Sequence, residues 1–237
     1  MNKFKSEDKI GQVVAVFPGA SNLFLDYKID FCCGGNRPLI EAIKEQNLNE
    51  DEIINMLNNK YVEFKKQNQE FVDWVKEEPS KLIDYVVGKH HLYLNEELPK
   101  ISELILKILK VHGKNHEELF EVHKLFNTLR IELEEHLIKE EEFIFPAIKK
   151  YVENKSKKNA ENLLKNINDL EQEHEGAGDI IKELREITDH YTVPQDACRT
   201  FQLTYTKLKE LEKDMFQHIH LENNILFPNI SNEILNN

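Results

Sequence analysis

Three cysteines in 237 residues, two adjacent as Cys32-Cys33 and the third at Cys198, leave no disulfide framework of a secreted domain. A reducing cytoplasm is therefore the expected compartment. Apolar runs are short. No stretch approaches the 18 uninterrupted apolar residues of a membrane span, and the opening MNKFKSEDKIGQ lacks the apolar core of a signal peptide. Positive charge is in deficit, with 31 Lys and Arg against 43 Asp and Glu and a net charge of -12. That balance argues against nucleic acid or an anionic membrane as the main partner. Glycine and proline are few, at 8 and 7 residues, while charged residues make up 31% and apolar ones 40%. This composition favours long, surface-exposed helices around a real core, in one large domain or two smaller ones.

The scarce glycines are unevenly spread. Gly11, Gly19, Gly34 and Gly35 fall in the first 60 residues with the cysteine pair. Short helices are expected there around Lys9–Val16, Asn22–Tyr27, Pro38–Gln46 and Asn49–Asn58. Pro38 suits a first helical position, where its missing N–H costs nothing. Asn49 suits an N-cap ahead of acids in the first turn. Residues 1–62 thus read as a small helical domain and 63–79 as a linker or connecting helix. From residue 80 to 237 apolar residues recur three and four apart through four long segments. The fold class expected is all-α, an up-down four-helix bundle preceded by the small helical domain.

Within the bundle the sequence repeats itself. HLIKEEEFIFP from His136 to Pro146 returns 82 positions later as HIHLENNILFP from His218 to Pro228. His136, Glu140 and Phe145-Pro146 match His218, Glu222 and Phe227-Pro228. His91 stands 45 residues before His136, and His174 stands 44 before His218. Each half thus carries one histidine on its first helix and H-x3-E on its second. Residues four apart share a helix face, so two such hairpins about a pseudo-twofold axis bring four imidazoles and two carboxylates together. Imidazole suits iron, zinc, copper and nickel, and carboxylates bridge two cations well. One H-x3-E is usually a solvated pair. Two copies with matching Phe-Pro tails and matching upstream histidines point to a two-metal site.

Neighbouring residues have plainer readings. Glu132 and Glu173 are each either an acceptor that fixes an imidazole tautomer or a solvated acid. Phe145 and Phe227 pack over the site or in the core, and Pro146 and Pro228 kink or end their helices. His112 and His116 read as a surface pair. His90 and His220 point away from the ligand face, His123 and His190 have no partner at useful spacing, and Cys198 reads as a helix-core residue.

From about Ser80 to Ile230 the chain resembles haemerythrin-like domains. With EQEHEGAG around His174 and FPGASNLFLDYKIDFCCGG near the N-terminus, it resembles specifically the di-iron RIC proteins, which repair iron centres. The resemblance implies two non-haem iron ions held by His91, His136, Glu140, His174, His218 and Glu222, with the glutamates bridging. It implies recovery of iron-sulfur proteins damaged by nitric oxide or oxidants. The oxygen-carrying haemerythrins fit less well. Their third helix repeats a histidine where this chain has Gly178, and their last helix spaces histidine and aspartate five apart, whereas Glu222 is four after His218.

Cys32 and Cys33 precede Gly34-Gly35 and a helix. A thiol near a helix N-terminus has a depressed pKa, so the pair is a candidate for thiol redox chemistry or for contact with iron or a damaged cluster. The alternative is a pair of small buried residues. Three functions stay open: repair by iron donation to damaged iron-sulfur proteins, a redox enzyme that reduces nitric oxide or a peroxide, and an oxygen or iron sensor or store. A homodimer through the N-terminal unit is compatible with each.

Overall fold

Helix-start chemistry organises the N-terminal residues. A computed structural model describes residues 3–67, 72–155 and 160–236. Residues 68–71 of the expected connecting segment lie outside the described residues. The helices are α1 Ile10–Val16, α2 Ala20–Asp26, α3 Leu39–Glu45 and α4 Glu50–Lys66. Asn49 caps α4 as expected, its side chain accepting from the Glu52 N–H at 3.1 Å. The helix outruns the expected Asn58 by eight residues, with acids in its first turn and Lys65 and Lys66 in its last, each favourable to the helix dipole. Pro38 lies one position outside the expected place. It is extended, at φ -63 and ψ 142, and pairs with Lys9 in an isolated bridge. The first N–H groups of α3 therefore find partners in the preceding chain, Leu39 on the Asp8 carbonyl and Ile40 on that of Ser6.

These helices belong to a compact unit of residues Met1–Leu82 and Phe216–Asn237. Its aromatic core sets Phe4 and Phe17 edge-on to Tyr61, at 5.1 and 5.7 Å between ring centroids. Buried Asn58 accepts from the Lys3 and Phe4 N–H groups and donates to the Phe4 and Ile54 carbonyls, so its amide is satisfied on both ends.

The second unit, Ile83–Met215, contains the long helices of the bundle. These are α6 Leu92–His112, α7 Glu118–Lys139, α9 Ala160–Ile187 and most of α10 Arg199–Leu221; α5 Pro79–Val86 leads into α6, and α8 Phe145–Asn154 extends α7. Buried residues step three and four apart: Leu119, Val122, Phe126, Leu129, Leu133 and His136 on α7, and Leu163, Ile167, Leu170, His174, Ala177 and Ile181 on α9. The histidines occupy core positions of the apolar stripes, which is why the fold turns them inward. Polar ties join α10 to its neighbours: Lys207 to Glu97 on α6 at 3.0 Å, and Glu212 to Arg185 on α9.

Neither proline of the repeat ends its helix. A wide π turn precedes each, Glu140–Ile144 before Phe145-Pro146 and Glu222–Leu226 before Phe227-Pro228, and the chain continues into α8 and α11 Phe227–Asn236. A proline cannot donate to the carbonyl four residues back and its ring crowds that carbonyl; the wider turn relieves both problems without a break. A third π turn, Val87–His91, joins α5 to α6. Such turns collect at functional sites, and each of these begins or ends on a predicted ligand.

Candidate metal centre

In the second unit, three predicted histidine ligands turn the same ring nitrogen, Nε2, toward one another or toward the fourth ligand, Glu140. His91, His136 and His174 are buried, and Glu140 is wholly buried. Glu140 Oε2 lies 3.3 Å from His91 Nε2 and 3.4 Å from His136 Nε2. His174 Nε2 stands 2.9 Å from His136 Nε2. Two imidazoles on one ion, with bonds of about 2.0–2.1 Å, place their nitrogens roughly 3 Å apart, so His136 and His174 are spaced as co-ligands. Their outer nitrogens meet carboxylates: His91 Nδ1 bonds Glu141 Oε1 at 2.8 Å and His136 Nδ1 bonds Glu173 Oε2 at 2.8 Å. A donor at Nδ1–H leaves the Nε2 lone pair for a metal. His136, helped by Lys139 at 2.6 Å, draws the Glu173 carboxyl down to about 2. Of the two acids considered for orienting the histidines, Glu173 does so. Glu132 is exposed. Glu141 was missed, hidden in a run of three glutamates where only direction distinguishes ligand from helper. Phe145 stacks on the His91 ring at 5.7 Å. A cavity of 660 Å³ reaches this group, with His136 and His174 among its lining and Glu132, Glu135, Asp169 and Glu173 beside them.

In the first unit, the second copy of the motif has the same local form. His218 and Glu222 are wholly buried, with His218 Nε2 3.2 Å from Glu222 Oε1. His220 faces elsewhere, as expected. Its Nδ1 lies 3.4 Å from the Phe31 carbonyl, and burial lowers its pKa to about 4, so it is neutral. That carbonyl belongs to the cysteine loop. Asp30 Oδ1 accepts from the Cys32 and Gly34 N–H groups and from the Cys32 thiol at 3.2 Å. The expected lowering of the thiol pKa does not occur at Cys32. The side chain is wholly buried, and burial first, then Cys33 and the Asp30 charge, push its pKa well up. Six residues separate it from the start of α3, too far for that helix end to act.

Residues 82–230 match the hemerythrin HHE cation binding domain family, and residues 6–61 match ScdA_N, a Domain of Unknown function (DUF542). The iron-sulfur cluster repair protein ScdA of Staphylococcus haemolyticus is 30% identical over 95% of this chain and 99% of its own length. This chain belongs to the family of iron-sulfur cluster repair proteins. A probable iron-sulfur cluster repair protein of Haemophilus influenzae is 32% identical over 96% of this chain and 98% of its own. For the repair protein YtfE of Pectobacterium atrosepticum the figures are 32%, 94% and 96%.

In this member of the repair family the remaining histidines depart from the sequence reading in two places, the first being His123, whose Nε2 meets the Asn127 side-chain amide four residues on at 3.2 Å. His90 pairs with Asp214 at 3.0 Å, away from the ligands as expected. His112 and His116 are not a loose surface pair. Both rings pack edge-on to Phe201, at 5.4 and 5.3 Å, and His116 bonds Glu118 at 2.9 Å and Asp196 at 3.0 Å. The two acids raise the His116 pKa, Glu118 most. Cys198 is not in the helix core. It is exposed, directly ahead of α10, and its sulfur lies 3.2 Å from His112 Nε2. Backbone N–H groups of the first turn, that of Phe201 foremost, and His112 bring its thiol down to about 7. Cys198 follows directly on the turn that Ala197 N–H closes on the Pro194 carbonyl at 3.1 Å. No described helix is long and apolar enough to cross a membrane.

Proposed function

We propose that this protein repairs damaged iron-sulfur clusters by donating iron. His91, His136, Glu140, His174, His218 and Glu222 would together hold two non-haem iron ions, the histidines by ring nitrogen and the glutamates by carboxylate oxygen. The observation that carries the reading is Glu140: one wholly buried carboxylate oxygen within 3.4 Å of imidazoles from two helices, His91 and His136. A buried carboxylate is costly unless cations balance it, and neutral imidazole with carboxylate suits iron. The repeat supports His218 and Glu222 as the matching half, and the hemerythrin HHE match spans all six positions. Relatives along nearly the whole chain are named for cluster repair. Bound there, ferrous iron is the cargo for a cluster that has lost iron to nitric oxide or an oxidant.

The chain's own residues perform the rest. Glu141 and Glu173 hold the outer ring nitrogens so that the inner ones stay unprotonated toward iron. The 660 Å³ cavity, flanked by acids, gives a cation a route past His136 and His174. Residues 1–62 act as the client-facing part, 63–79 join them to the bundle of 80–237, and Cys32 and Cys33 supply the thiol chemistry of transfer. Damaged iron-sulfur proteins of the reducing cytoplasm are the partners. The test is anaerobic incubation of the iron-loaded protein with an apo iron-sulfur reporter. Cluster absorbance should return with loss of iron from the donor. Equal recovery with free ferrous iron at the same concentration, or none at all, would overturn the proposal.

A further inference from the structure

The second copy of the repeat carries an extra stripe that the first lacks. Phe216, His220 and Asn224 lie four apart and share one helix face; His218 and Glu222 lie on another face of the same two turns. The stripe grips the cysteine loop. Phe216 and His220 each meet the edge of Phe31, at 5.8 and 5.9 Å. Asn224 Nδ2 donates to the Cys32 carbonyl at 2.8 Å and to that of Phe31 at 3.3 Å. On its other side the amide is wedged between two glycines that are themselves bonded, Gly11 N–H to the Gly35 carbonyl at 2.7 Å. A Cβ on Gly11 would stand 2.3 Å from Asn224 Oδ1 and one on Gly35 2.2 Å, so a side chain at either place would displace the amide. In the first copy the same positions are Glu134, Ile138 and Glu142, and all three are exposed. The two copies are alike where they offer ligands and differ where one of them holds the loop.

We propose that Asn224 is a positioning residue that seats the Cys32–Cys33 loop on the turn carrying Glu222 and keeps the Cys32 thiol buried until that turn yields. The inference rests on the repair reading for the purpose of the cysteines, and on contacts within one compact unit for its geometry. An amide is required. Aspartate would bring a negative charge against two carbonyl oxygens, and alanine would remove both bonds and leave a gap beside the glycines. Gly35→Ala attacks the same contact from the loop side.

The test is maleimide labelling of the iron-loaded, full-length protein, followed by peptide mass spectrometry. Exposed Cys198 serves as the internal reference. Removing two hydrogen bonds should speed Cys32 labelling on the order of 10-fold or more in Asn224→Ala, with a similar rise in Asn224→Asp and Gly35→Ala. Asn58→Ala controls for general loosening, since it removes a buried, fully bonded amide of the same unit, and it should leave the Cys32 rate near that of the wild type. An unchanged Cys32 rate in the Asn224 and Gly35 variants, or an equal rise in Asn58→Ala, overturns the proposal. Should one Asn224 variant not fold, Gly35→Ala decides alone. The reporter assay is separate: failed iron transfer with Cys32 still guarded by Asn224 removes the repair reading and leaves the clasp standing.

Discussion

Glu140→Gln separates a metal-bridging carboxylate from a merely buried one. The side chain is fully buried, and one oxygen sits 3.3 and 3.4 Å from two imidazole nitrogens. Without a cation, an ionised carboxylate there carries a desolvation cost of several kcal/mol. With ferrous iron at 100 times its dissociation constant, each bound iron stabilises the fold by about 2.7 kcal/mol. For a chain of this size that raises Tm by roughly 5–11 °C, at ~2–4 °C per kcal/mol. Glutamine keeps the shape but cannot supply the charge. The variant should lose most of the iron-dependent rise, while its metal-free Tm stays at or above that of the wild type, because an amide is cheaper to bury than a carboxylate. Anaerobic thermal unfolding with and without ferrous iron measures both numbers. An iron-dependent rise in Glu140→Gln equal to that of the wild type would refute the reasoning.

Other parts of the molecule give equally specific outcomes. Arg185→Met should cost about 3–5 kcal/mol in urea unfolding, because it strands the largely buried Glu212 carboxylate, whereas Met at 185 with Leu at 212 should recover most of that loss. Alkylation of Cys198 should be half-maximal near pH 7 and fall below it as the thiolate is protonated; His112→Ala should move that midpoint upward. The folded-state pKa of His116 is raised, so its contribution to stability is complete below pH 6.5 and lost as pH climbs through the raised value; His116→Gln should flatten unfolding stability across that window.

The all-α fold was legible because periodicity and burial agree: the three-and-four spacing that predicts α7 and α9 is the spacing of their buried residues, histidines included. The metal-site candidates were legible because the repeat doubles every signal, so His136 and Glu140 vouch for His218 and Glu222 even with different residues between them. What escaped was direction and environment. The H-x3-E spacing singles out Glu140, but nothing in EEE at 140–142 tells that Glu141 bonds the far side of His91. Pro146 and Pro228 read as kinks or ends because the usual helix holds them poorly, yet a wider turn carries the helix on. Cys32 and Cys198 exchanged roles for the same reason: proximity to a helix start in sequence gave no measure of burial, and burial decides the thiol pKa. Asn224 carries no signal in its own stretch, because its partners, Gly11, Gly35 and the Cys32 carbonyl, lie at the far end of the sequence.

Iron per chain in protein purified without oxygen, with its absorption spectrum, tests the account most directly when run beside variants of the proposed ligands. Two irons per chain in the wild type, falling sharply in Glu140→Gln and in His136→Ala with His174→Ala, is the predicted result. Iron at trace levels after anaerobic loading, or full iron retained when His136 and His174 are gone, would contradict it.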